Sequence, residues 1–146
     1  MNMADYYHAV VWIDHHEAKI FHFSADDFDA AKIRSSQPHQ HLHHKANVVG
    51  SGHAAVEHVF LEQISKALDG CGAVLITGPA GAKNELAAHM RKFHPQLAAR
   101  ISAVETLDHP TDGQIVAVAR RFFRADDQMH AQQQSRSPGM RPAGAS

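Results

Sequence analysis

Apolar and polar positions change period several times along this chain, and each change marks an element. Tyr7 to Ile13 is a short apolar run rich in β-branched and aromatic residues, the pattern of a buried strand. Asp14-His15-His16-Glu17 is polar and predicts a hairpin turn. Ala18 to Phe23 alternates, with Ala18, Ile20 and His22 on one side and Lys19, Phe21 and Phe23 on the other, which predicts a second strand paired to the first. Phe28 to Ser35 predicts a weaker third strand with Ala31 and Ile33 as its apolar side. From about Gly52 the period becomes helical. Val56, Phe60, Ile64 and Ala67 recur at helical spacing, Val59, Leu61 and Leu68 widen that face, and Gly70 is the expected stop. Ala73 to Thr77 is a continuous apolar run, which suits a central strand covered on both faces.

Gly78-Pro79-Ala80-Gly81 predicts a turn, followed by a helix from Lys83 to Phe93 with Leu86, Ala87, Met90 and Phe93 facing inward. His94-Pro95 ends or interrupts that helix, because the residue before a proline is pushed out of the helical region. Ile101 to Leu107 predicts a fifth strand and Asp108-His109-Pro110 a turn. Thr111 and Gln114 have the spacing of a capping box opening a last helix, with Ile115, Val118, Ala119 and Phe122 as its apolar face. Arg120, Arg121 and Arg124 cluster towards the end of that helix, where cations suit the helix dipole. The order β-β-β-α-β-α-β-α predicts an α/β fold, a mixed sheet of about five strands with helices on its faces. Residues 1–125 are expected to form a single domain. Beyond Asp126 apolar content collapses, and 126–146 is expected to be a disordered tail.

The composition fits this picture and narrows function. The chain has 146 residues, 44% hydrophobic and 20% charged, ordinary for a globular domain. Its formal net charge is -1, so bulk charge does not mark it as a protein that coats nucleic acid, and no DNA partner is expected. The 14 histidines qualify this, since a fraction protonated near pH 6 turns the surface positive. The single cysteine, Cys71, excludes an internal disulfide and is expected to be a small residue at a helix-to-strand turn. No basic segment followed by an apolar one opens the sequence, and no apolar run reaches membrane length, so a cytoplasmic location is expected.

The most unusual stretch is 37–53, which carries five histidines and two glycines between the β-rich part and the first helix. A loop this long in a compact domain is usually functional or disordered. His39, His41 and His43 are candidate zinc ligands, since imidazole is a good zinc donor and alternate residues of an extended segment share a side. No matching Cys/His pair stands elsewhere in a known spacing. The alternative is a solvated recognition loop in which His43, His44, Lys45, Gly50, Ser51, Gly52 and His53 meet phosphate or ribose.

Other motifs carry less. Asp14-His15-His16 matches the Asp-His-His string of one phosphoesterase family, but the run at Ala73–Thr77 supplies none of the further aspartates its two metals need. A two-metal nuclease requires converging carboxylates. Asp14, Glu57, Glu62 and Asp108 are expected to be scattered, solvated acids. Gly78-Pro79-Ala80-Gly81-Ala82-Lys83 has two residues between its glycines where a Walker loop has four, so it predicts a tight strand-to-helix turn. No catalytic residue is assigned.

Several of these segments together resemble a known family. Val10-Val11-Trp12-Ile13-Asp14 followed by Ala18-Lys19-Ile20-Phe21, then Val74-Leu75-Ile76-Thr77-Gly78-Pro79 followed by Lys83-Asn84-Glu85-Leu86, then Asp112-Gly113-Gln114, are similar to the middle domain of the class I release factors of eukaryotes and archaea, of their paralogue Pelota, and of small related bacterial proteins. The resemblance runs from about Val10 to Phe123. It implies a ribonuclease-H-like fold without that enzyme's acids. The release factors carry a Gly-Gly-Gln motif in the loop before the first helix, and its glutamine promotes peptidyl-tRNA hydrolysis. Here Gly50-Ser51-Gly52-His53 stands in that place, with no glutamine. Pelota-like members also lack the motif and bind ribosomes without hydrolysis. Flanking domains that read stop codons or recruit a GTPase are not expected. The resemblance therefore implies translation-linked binding, with a ribosome or tRNA as partner. A metal- or pH-responsive histidine loop and a ribonuclease-H-like nuclease are the alternatives.

Overall fold

In the computed structural model the described residues are 7–24, 27–35 and 56–136. They form two compact units, one up to Thr111 and one from Asp112 onward. In the first unit, β1 (His8–Ile13), β2 (Glu17–Phe23) and β3 (Phe28–Arg34) form an antiparallel meander. Then follow α1 (His58–Ala67), β4 (Ala73–Gly78), α2 (Ala82–Phe93), the one-turn α3 (Pro95–Ala98) and β5 (Ile101–Thr106). The sheet order is β3-β2-β1-β4-β5, with β4 parallel to β1 and β5 parallel to β4. This is the five-stranded mixed sheet and ribonuclease-H-like order that the resemblance implies.

The apolar runs end up where their periods require. β1 and β4 are central strands, and Ala9, Val10, Val11, Ile13, Val74, Leu75 and Ile76 are all fully buried. Alternate residues leave on opposite faces of a strand. Ala9, Val11, Ile13, Ala18, Ile20, Val74 and Ile76 join Phe60, Leu61, Ile64 and Leu68 of α1 and Leu86, Ala87 and Met90 of α2 in one core. β3 is an edge strand, exposed at every position but Ile33, which packs partly against that core.

The turns are held by named contacts. Asp14 Oδ1 accepts from the backbone N–H groups of His16 (2.8 Å) and Glu17 (2.9 Å), which closes the β1–β2 hairpin as an Asx turn. After α1, Gly70 has φ 93, a left-handed conformation that a residue without Cβ adopts at low cost. Trp12 Nε1 donates to the Leu107 carbonyl at 2.9 Å, tying the chain after β5 to β1.

Three expectations are corrected. The helical period read from about Gly52 begins later: Val56 is buried, but Glu57 is the extended cap and the helix starts at His58. Val59 and Phe93, expected on inner faces, are 54% and 49% exposed, while Ser65 and His89 are buried. Position on the helix wheel gives the centre of a buried face, but neighbouring elements decide its edges. Finally, the second unit is one helix, α4 (Asp112–Arg136). α4 begins directly after Thr111, as a capping residue there requires. Its buried face is Ile115, Val116, Ala119 and Phe123, shifted from the predicted one, with Val118 and Phe122 only partly buried.

Candidate functional site

All the candidate loop residues, His39, His41, His43, His44, Lys45, Gly50, Ser51, Gly52 and His53, lie outside the described residues. What the structure describes is how the ends of that segment are held. Ser35 ends the sheet side: its N–H donates to the His16 carbonyl at 2.8 Å, and its hydroxyl donates to Glu57 Oε1 at 3.2 Å. On the return side, the Val56 N–H donates to Glu85 Oε1 at 3.0 Å. Glu85 stands in the first turn of α2, within the Lys83-Asn84-Glu85-Leu86 stretch that carries part of the resemblance. Lys83 is also occupied, its ammonium donating to the Ala80 carbonyl inside the strand-to-helix turn. The segment therefore leaves and re-enters the fold at one place, beside the start of α1.

Next to that place is a cluster sequence reading missed. His58 and Glu62 stand at i and i+4 on α1, a spacing that puts two side chains on one helical face. His89 is buried on α2. His94 follows Phe93 with φ −139 and ψ 65, outside the helical region as expected before Pro95. Glu62 is the hub of the cluster. Glu62 Oε1 accepts from His89 Nε2 at 2.9 Å and from His94 Nε2 at 2.8 Å, and Glu62 Oε2 lies 3.0 Å from His94 Nε2. The His58 ring lies 4.8 Å from that of His89, edge to face, and both rings pack on Phe93. Ligand atoms of His58, Glu62 and His89 all lie within 4.8 Å of one another.

This environment explains the charge state of Glu62. Hydrogen bonds from His94 first, then from His89, hold its carboxyl down at about 2, against the opposing effect of partial burial. Glu62 is thus an anion facing three imidazoles, not the isolated surface acid expected. A cleft of about 600 Å³ adjoins the cluster, with Phe93, His94, Ser65, Lys66 and Asp69 on its walls.

The Asp14 carboxylate is used by the hairpin turn, Glu57 by Ser35 and Glu62 by the imidazoles, while Asp108 is exposed beside His109 at 3.1 Å. The nuclease acids are not brought together. Cys71 is buried at the turn, where desolvation pushes its thiol up to about 11, Arg100 opposing and Asp69 adding to the rise. The signal that could have found the cluster was present: a histidine and a glutamate four apart on a helix, with another histidine on the next helix. What the sequence did not show was that the second helix lies alongside the first.

Similarity to solved structures enters at the level of fold. The chain superposes on Pelota of Archaeoglobus fulgidus with a TM-score of 0.55 at 11% identity, over 90% of this chain and 38% of that one. It superposes on an archaeal translation termination factor with a TM-score of 0.50 at 11% identity, over 90% of this chain and 41% of that one. Dom34 of S. cerevisiae, a translation termination-like factor involved in RNA quality control, gives 0.51 at 9% identity, over 87% and 38%. The fold is therefore that of a Pelota- and release-factor-like middle domain, and the chain spans well under half the length of these proteins. No protein-family model and no curated protein sequence matches it. Among the described residues, no helix is long and apolar enough to cross a membrane.

Proposed function

We propose that this chain is a translation-linked binding domain, acting in the cytoplasm, that contacts a ribosomal or tRNA site through residues 37–53. His43, His44, Lys45, Gly50, Ser51, Gly52 and His53 are the contact residues in this reading. The observation that carries it is the pairing of a translation-factor fold with a histidine- and glycine-containing segment pinned at both ends beside α1. Lys45 and protonated histidines supply positive charge for phosphate, and the glycines let backbone approach closely. The absence of Gly-Gly-Gln supports binding without peptidyl-tRNA hydrolysis.

The test is co-sedimentation of the purified protein with ribosomes at low and moderate salt, intact and with 37–50 replaced by a Gly/Ser linker. Pelleting should depend on the segment, weaken with salt, and strengthen at mildly acidic pH. The combined charge reversal Lys45→Glu, His43→Glu and His44→Glu should abolish it. Pelleting that survives both changes removes the segment from the mechanism.

A further inference from the structure

We infer that His58, Glu62, His89 and His94 form a zinc site joining α1 to the α2–α3 junction. Nothing in the translation reading requires it, and it uses none of the loop histidines first considered as ligands.

Donor chemistry, convergence and place in the fold each support the site. Three imidazoles and one carboxylate are donors zinc favours, and four is the number a closed tetrahedral site takes. Two nitrogens from different elements aim at one carboxylate oxygen, at 2.8 and 2.9 Å. Ligands bonded to zinc at about 2.0–2.1 Å stand about 3.3 Å apart around a tetrahedron. The site requires these two pairs to open by a few tenths of an ångström and His58, whose ligand atom lies within 4.8 Å of those of Glu62 and His89, to close on the ion. The cluster does not resemble an ordinary surface ion pair, since one carboxylate is shared by two imidazoles while a third packs against them. Phe93 supplies an apolar wall, and the adjoining cleft leaves a route for the ion to reach His94.

The consequence is local. Glu62 is 27 positions from His89 and 32 from His94, so an ion here cross-links elements that are distant in sequence. It fastens the first turn of α1, where segment 37–53 re-enters the fold. Binding only to the folded state raises stability by mass action.

The experiment uses the full chain, freed of metal by chelator dialysis and titrated with Co²⁺, then with Zn²⁺ to displace it. Three proteins are compared: wild type, a loop variant combining His39→Ser, His41→Ser, His43→Ser, His44→Ser and His53→Ser, and His58→Ala. His58 is exposed at the start of α1, so its replacement leaves the core intact. Glu62→Gln serves as a second test of the cluster. One equivalent of Co²⁺ should bind with the intense d–d bands of four-coordinate cobalt, in wild type and in the loop variant alike, and Zn²⁺ should raise the melting temperature of both. His58→Ala and Glu62→Gln should each weaken binding by about 100-fold or more, at least the loss seen when only the supports of a ligand are removed. Loss of the bands in the loop variant, undiminished binding in His58→Ala, or only weak binding of several equivalents would each overturn the site.

Discussion

Two glycines stand three residues apart in the turn between β4 and α2, and alanine should have opposite effects at them. A Cβ on Gly78 would lie 2.2 Å from the backbone oxygen of Ile13. Ordinary contact begins near 3.4 Å, so β4 and β1 would have to part by about 1 Å at their ends. Neither end is free to move. Ile13 is fully buried, the Leu107 N–H donates to the Gly78 carbonyl at 2.9 Å, and Thr77 Oγ1 donates to the Val11 carbonyl at 2.8 Å. Overpacking of a rigid site costs about 1–3 kcal/mol, and backbone against backbone belongs at the top of that range. For a domain of this size, about 3 kcal/mol corresponds to a fall in Tm of roughly 10–20 °C. Gly81 is the contrast: a Cβ there meets nothing within 4 Å, and its φ of −80 and ψ of −16 are helical. Gly81→Ala should stabilise by about 0.4–1 kcal/mol by restricting the unfolded chain. Urea denaturation followed by far-UV circular dichroism and by Trp12 fluorescence measures both, with unchanged m-values as the check that only stability moved. Gly78→Ala within about 0.5 kcal/mol of wild type would refute the packing argument. It would also reopen the question of why this turn carries glycines.

Three further outcomes are expected. Cys71, its thiol pushed up to about 11 by burial, should resist alkylation in the native protein at pH 8 and react fully in denaturant; rapid native labelling would contradict the burial. Glu62, held at about 2 against an ordinary 4.5, contributes stability that is present above 4.5 and lost as pH falls through about 2. Metal-free wild type should therefore lose more stability than Glu62→Gln over that window, and parallel pH curves would show that the imidazoles do not favour the folded carboxylate. Glu85→Ala should expose the Val56 amide to faster hydrogen exchange and cost about 1–2 kcal/mol, because a charged acceptor is removed from a partly buried donor; unchanged exchange at Val56 would show that this end of the segment is held by something else.

What was legible in the sequence follows from the range of the forces involved. β1 and β4 could be read because a continuous apolar run between turn signals has few solutions, and both proved central. The Asp14 turn and the Gly70 stop were readable because each rests on contacts within a few residues. The exposure of Val59 and Phe93 was not, since either residue would suit a core by its own chemistry. Nor was the histidine–carboxylate cluster. Its spacing on α1 is visible, but the partners of Glu62 come from elements that only tertiary packing brings near. The histidine-rich segment drew attention by local density, whereas the described histidines that converge are spread along the chain.

The Lys83-Asn84-Glu85-Leu86 stretch links the resemblance to the physics of this fold. A tetrapeptide of this kind carries little information by itself, yet each of three residues has a distinct structural task. Leu86 is fully buried in the core. Lys83 closes the turn through the Ala80 carbonyl, and Glu85 holds the backbone at Val56. With the bond between Ser35 and Glu57, the last of these contacts brings together the ends of a segment of about twenty residues, for which closure costs on the order of 2–3 kcal/mol. Part of that cost is met by these contacts at its ends. The sequence between them has no apolar period and is rich in imidazole and glycine, which is the ground for the contact proposed there, while the core is explained by the sheet and its helices.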